Sequence, residues 1–140
     1  MNQLMKFCRL IQPLTGFLSL CCCLLVLNTS AGDIDSLKNL LSTKLPDSIR
    51  VNVLNALSKA YFNTRPDTSI FIAAESKNLA EKIQYNTGLA LAYKNMGIGY
   101  YLQGKYKDAV LTWQRAIGVY RLLGDKKGED NMLSNQGAVY

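Results

Sequence analysis

Three stretches set forty residues apart, "NALSKAYF" from Asn55, "NMGIGYYL" from Asn95 and "NQGAVY" from Asn135, restrict this chain more than any average taken over it. Asn opens each of them, Gly97 matches Gly137, Tyr100 matches Tyr140, and Gly88 matches Gly128. A fixed period of this length marks stacked copies of one small supersecondary unit, which buries its apolar face only against its neighbours. The architecture expected is therefore an array of units rather than a single layered domain.

The middle unit carries the clearest pattern. Tyr93, Met96, Gly97 and Tyr100 recur at steps of three and four, the spacing of one face of a helix expected over about 87–103. Ala109, Trp113, Ala116 and Tyr120 do the same on a second helix expected over about 105–123. Gly104 falls between them, where a left-handed residue ends a helix. A glycine inside a helix costs roughly 1 kcal/mol relative to alanine. For Gly97 that cost is offset if Gly97, Ala109 and Ala116 let the two backbones approach while the aromatics fill the space beside them. Gly99 meets no such demand in the pattern, and Gly99→Ala is expected to be neutral or stabilising.

These residues resemble the tetratricopeptide repeat closely. The family pattern places an aromatic, then after two residues a Leu-Gly pair, then after two more a tyrosine, and later an alanine followed after three residues by an aromatic. Tyr93, Met96-Gly97, Tyr100, Ala109 and Trp113 stand at those places, and Ala116 follows. The resemblance implies an all-α fold, an antiparallel helix-pair solenoid, over about 47–140. Its units are 47–86, 87–127 and a truncated third unit over 128–140. The proline that usually closes the repeat is missing, with Arg121 about where it would fall, and the period is near forty residues. Long repeats of this kind are similar to those in exported sensor regions of bacterial signalling proteins.

The first unit departs from the pattern. Val53, Leu57 and Ala60 replace the aromatic, glycine and tyrosine, while Ser69, Ala73 and Ser76 stand where Ala109, Trp113 and Ala116 do. Terminal units of an array are atypical because one side lacks a neighbour. The second helix of this unit is expected to begin after Arg65-Pro66, since proline suits a first helical turn. Ahead of it, Ile34, Leu37, Leu41 and Leu45 form one stripe of a capping helix within 32–46 that Pro46 ends.

The start of the chain reads as an export signal. Lys6 and Arg9 precede the apolar run "LTGFLSLCCCLLVL", fourteen residues from Leu14 to Leu27, and Thr29-Ser30-Ala31 supplies small residues for cleavage. A spanning helix needs about 20 apolar residues. The reading is a signal peptide over 1–31 and an exported chain, periplasmic or in the cell envelope, with an uncleaved membrane anchor as the alternative. Cys8, Cys21, Cys22 and Cys23 are the four cysteines and all lie in this leader, so the remainder can form no disulfide.

Composition narrows the chemistry. With 49% apolar and 19% charged residues the chain is that of a globular protein. The net charge of +6 is spread along it, and with Lys6 and Arg9 set aside fourteen basic residues face ten acidic ones. No run of Lys and Arg marks a nucleic-acid surface. Histidine is absent, which removes Ser-His-Asp triads and, with no cysteine beyond the leader, His/Cys zinc sites. Asp125, Glu129 and Asp130 lack the alternating oxygens of a calcium loop, and are expected to be a solvated loop and first helical turn.

No catalytic residue, cofactor or metal is expected within these residues. The resemblance implies a protein-interaction scaffold that takes a peptide or protein segment in a concave groove. Lys94, Asn95, Ile98, Tyr101, Asn55 and Asn135 are the candidate groove residues, with Leu91 and Leu102 beside them and Val51, Leu54, Ser58 and Tyr61 as counterparts one unit back. The Asn amides suit the main chain of an extended peptide, and Lys94 suits a carboxylate, so the segment expected is acidic. Tyr93, Gly97, Tyr100, Ala109, Trp113 and Ala116 are the helix-packing signature. The alternative function is the sensory front of a membrane signalling protein, a histidine kinase or nucleotide cyclase, whose output module lies beyond Tyr140. A membrane partner enters only through an uncleaved leader or a missing C-terminal segment, and no nucleic acid is expected.

Overall fold

A computed structural model describes residues 29–140, with side chains from Ile34 onward. The expected leader up to Asn28, with Cys8, Cys21, Cys22 and Cys23, lies outside the described residues. Within them the chain is all-α: α1 (Thr29–Leu41), α2 (Asp47–Ala60), α3 (Pro66–Lys82), α4 (Asn86–Leu102), α5 (Tyr106–Leu123) and α6 (Lys126–Gly137), with no strand among the described residues.

The boundaries follow from local chemistry. α1 stops at Leu41, short of Pro46, because Ser42 Oγ and Thr43 Oγ1 turn back to donate to the Asn39 and Leu40 carbonyls, at 2.6 and 2.7 Å. Such hydroxyls offer the backbone an alternative to continuing the helix. Leu45 is consequently not helical, and Pro46 instead leads into α2. Arg65 and Pro66 open α3 as expected, with the proline in the first turn where its missing N–H leaves nothing unpaired. Gly104 at φ 73° and Gly124 at φ 68° take left-handed turns after α4 and α5. At the equivalent turn after α3, forty residues before Gly124, Gln84 holds φ 56° without being a glycine.

Each helix from α2 onward packs against the next, and α2 also touches α4. Ile34, Leu37 and Leu41 of α1 cover one apolar cluster, formed by Leu54, Leu57, Tyr61 and Ile72. Lys38 Nζ lies 5.8 Å from the centre of the Tyr61 ring, a cation–π distance. A second cluster joins Ala90, Ala109, Trp113, Ala116, Ile117, Tyr120 and Met132, with Tyr93, Ile98 and Tyr100 packed around it. Trp113 is its bulkiest member, and its indole nitrogen donates a long hydrogen bond of 3.4 Å to the Lys94 carbonyl on α4.

Gly97 sits against that indole. A Cβ there would collide with Trp113 Nε1 and Cδ1 and lie 2.9 Å from Cε2. The same two positions in the α2/α3 pair are Leu57 and Ala73, buried to 4% and 0% exposure. Bulk has changed sides: glycine on the first helix accompanies tryptophan on the second, and leucine on the first accompanies alanine on the second. Buried serines complete the α2/α3 contact, with Ser58 Oγ donating to the Ser69 carbonyl at 3.0 Å and Ser76 Oγ to the Val51 carbonyl at 3.2 Å.

Gly99 departs from expectation. It is buried, and a Cβ would lie 2.6 Å from Ile70 Cγ1 and 3.3 Å from Ile70 Cδ1. α4 lies between α3 and α5, and two residues along a helix point to nearly opposite sides, so Gly97 serves one neighbour and Gly99 the other. The periodicity of the middle unit alone shows only the contact within its own helix pair. The second glycine answers to the preceding pair.

Candidate functional site

A groove of about 490 Å³ runs between α2 and α4. Asn52, Asn55, Ala56 and Lys59 line it from α2, Phe62 from the turn after α2, and Leu91, Lys94, Asn95 and Ile98 from α4. The α4 set steps by three and four residues, as one helix face must. Four of the expected groove residues, Asn55, Lys94, Asn95 and Ile98, therefore meet in one place.

Its floor is tied by the two asparagines. Asn95 Nδ2 donates to the Asn55 carbonyl at 2.9 Å, and Asn55 Nδ2 donates to the Gly88 carbonyl at 3.0 Å. Both side chains are buried, at 6% and 5% exposure. These bonds run from α4 to α2 and back again, so the amide nitrogens expected to meet a ligand main chain are committed to holding two helices in register. Asn55 Oδ1 is buried with no partner among the described residues.

The charge of the groove comes from Lys59, which is exposed, and Lys94, which is half-buried. No carboxylate is among the lining residues. Phe62, Leu91 and Ile98, all half-buried, supply apolar surface in the same lining as the two lysines. Lys59 and Phe62 escape the sequence comparison because Gly99 and Leu102 stand at their places one unit on. Their signal was only the general one, an exposed lysine one turn after Asn55 on the same helix face.

The remaining candidates lie elsewhere. Tyr101 stacks at a tilt with Tyr106, ring centres 5.5 Å apart, and with Trp113 at 6.0 Å. Leu102 is exposed, and neither it nor Tyr101 lines the groove. Asn135 is half-buried on α6 and also outside it. Val51, Leu54, Ser58 and Tyr61 are buried, so they belong to the core rather than to an open surface. Among the signature residues, Ala109, Trp113 and Ala116 are buried, while Tyr93 and Tyr100 are half-buried against the same cluster. Tyr93 donates its hydroxyl to Glu81 Oε1 at 3.2 Å, and burial, then the Glu81 charge, raises its pKa.

A smaller cavity of about 290 Å³ is bordered by Tyr120, Arg121, Gly124, Lys126 and Glu129. Glu129 is not the solvated residue expected. It is 7% exposed, with Oε1 2.7 Å from Arg121 Nε and Oε2 3.3 Å from Lys126 Nζ. The Arg121 hydrogen bond, ahead of the Lys126 bond and the two positive charges, holds its carboxyl below the ordinary glutamate range against the opposing effect of burial. Glu129 does lie in the first turn of α6, and Asp125 caps that helix, its carboxylate accepting from the Gly128 N–H at 2.9 Å. Both cations of this cavity are thus paired with Glu129. Among the described residues no cluster of three metal-ligating side chains occurs, and no helix is long and apolar enough to cross a membrane. No protein-family model matches the chain, and no curated protein matches it.

Proposed function

We propose that this chain is an exported helical scaffold of the tetratricopeptide type that holds an extended, acidic peptide or protein segment in the groove between α2 and α4. The observation that carries the reading is that Lys59 and Lys94 line one groove together with Phe62, Leu91 and Ile98, and that no carboxylate lines it. The solenoid assignment is supported by second helices that start forty residues apart, α3 at Pro66 and α5 at Tyr106, and by the contact of α2 with α4 across the intervening helix. Export is supported by the sequence of the leader alone.

In this reading the helices are rigid and the ligand supplies the adaptable part. Asn95 and Asn55 fix the spacing of α2 and α4, and Lys59 and Lys94 attract carboxylates. Phe62, Leu91 and Ile98 then exclude water from an apolar side chain between them. Because ammonium groups at the edge of a groove are screened by salt, the attraction acts over about 8 Å at physiological ionic strength. Each exposed ion pair contributes on the order of 0–1 kcal/mol. Binding is accordingly weak and salt-dependent.

The test is a peptide-library selection with the full chain, followed by Lys94→Ala and Lys59→Ala in the same assay. Enrichment of acidic, apolar-containing peptides whose affinity falls in both variants, at unchanged melting temperature, supports the groove. Selected peptides that bind equally to both variants would remove it as the site.

A further inference from the structure

The outward faces of α3 and α5 carry the same three positions with opposite charge. Asp67, Phe71 and Glu75 follow one another at four-residue steps along α3, and Lys107, Leu111 and Arg115 stand forty residues on along α5. Residues four apart share one face of a helix. All six are exposed, Phe71 to 72% and Leu111 to 49%. Among the described residues no ion pair uses any of the six. Asp67 accepts a hydrogen bond from Gln103 Nε2, which leaves its negative charge in place.

We propose that this acid–apolar–acid face of one molecule docks on the base–apolar–base face of a second copy of the chain, with Phe71 against Leu111. The two triplets match in either helix direction, because the charge on both sides of the apolar residue has one sign. In a two-fold dimer the contact is made twice, α3 on the partner's α5 face and the reverse. Two helix faces give a small interface, which places the association among weak, reversible ones. Its charges are exposed, so salt weakens it. The surface is separate from the α2/α4 groove, and neither proposal depends on the other.

The experiment is sedimentation velocity on the full 140-residue chain under reducing conditions, across a concentration series in about 0.02 M and about 0.5 M salt. Concentration-dependent dimerisation at low salt, weakened about tenfold or more at high salt, is expected. Asp67→Lys with Glu75→Lys makes both faces basic, and Lys107→Glu with Arg115→Glu makes both acidic. Each double variant alone should be monomeric, and an equimolar mixture of the two should regain the dimer. Phe71→Ser breaks no hydrogen bond within the chain and should weaken the dimer at unchanged melting temperature, which keeps the test open if Asp67→Lys impairs folding. A monomer at every concentration in low salt, self-association that ignores the charge reversals, or a mixture that stays monomeric overturns the proposal.

Discussion

Asn95 Nδ2 and the Asn55 carbonyl, 2.9 Å apart and forty residues apart in sequence, join the two helices that form the walls of the groove. The side chain that repeats is thus bonded to the main chain of its own counterpart one unit back. A residue in this position reads the neighbouring helix before it can read any ligand.

Asn95→Ala should accordingly lower stability. It removes a buried donor and leaves the Asn55 carbonyl with less than its full complement, a loss of about 1–3 kcal/mol. Lys94→Ala, whose ammonium lines the groove edge, should change the melting temperature little. Thermal melts of the two variants separate structural from binding roles, and equal melts would show that the amide bond contributes nothing.

Gly97→Ala and Gly99→Ala should both destabilise, and Gly97→Ala more. The first Cβ meets the indole of Trp113, which is 2% exposed and has nowhere to move, whereas the second meets Ile70, which is half-buried and can turn. Overpacking costs about 1–3 kcal/mol. The helix propensity regained is roughly 1 kcal/mol, so the net loss lies between about zero and 2 kcal/mol, with Gly99→Ala toward the lower end. Urea titration gives both values, and a stabilised Gly99→Ala would show that Ile70 relaxes without strain.

Gln84→Gly should stabilise the chain. A left-handed conformation costs a residue with a Cβ about 1–2 kcal/mol, and Gln84 holds it where the equivalent turn has Gly124. Glycine loses roughly 0.5–1 kcal/mol through its freer unfolded state, so the net gain is at most about 1.5 kcal/mol. A lower midpoint in urea would mean that the Gln84 side chain makes a compensating contact.

Acid should release α6 through Glu129. Its carboxyl pKa is depressed in the folded chain by Arg121 and Lys126, so its contribution is complete above the ordinary value of 4.5 and is lost as pH falls through the lower folded value. Glu129→Gln should flatten the acid limb of a stability–pH curve and make amides of α6 exchange faster at neutral pH. A curve unchanged by the substitution would assign the acid transition to other carboxylates.

The helices could be read from the chain because their determinants are local. Tyr93, Gly97 and Tyr100 mark α4, and Ala109, Trp113 and Ala116 mark α5, by spacing alone, and Pro66 and Gly104 mark boundaries by backbone geometry. What could not be read belongs to contacts between pairs. Gly99 faces Ile70 from the preceding pair, Glu129 reaches back to Arg121 across a turn, and the groove combines Lys59 with Lys94 across two units. The α1 end was missed for a smaller reason: Ser42 and Thr43 compete for carbonyls that periodicity assigns to the helix.

The exchange of bulk between Leu57/Ala73 and Gly97/Trp113 also limits how such a gene can be rearranged. Recombination that joined α2 to α5 would bring Leu57 and Trp113 to one contact, and joining α4 to α3 would leave Gly97 with Ala73 and a void. Crossovers that fall between a first and a second helix therefore yield mismatched hybrids. Rearrangements that keep these contacts must move complete helix pairs, with breakpoints in the turns that follow α3 and α5.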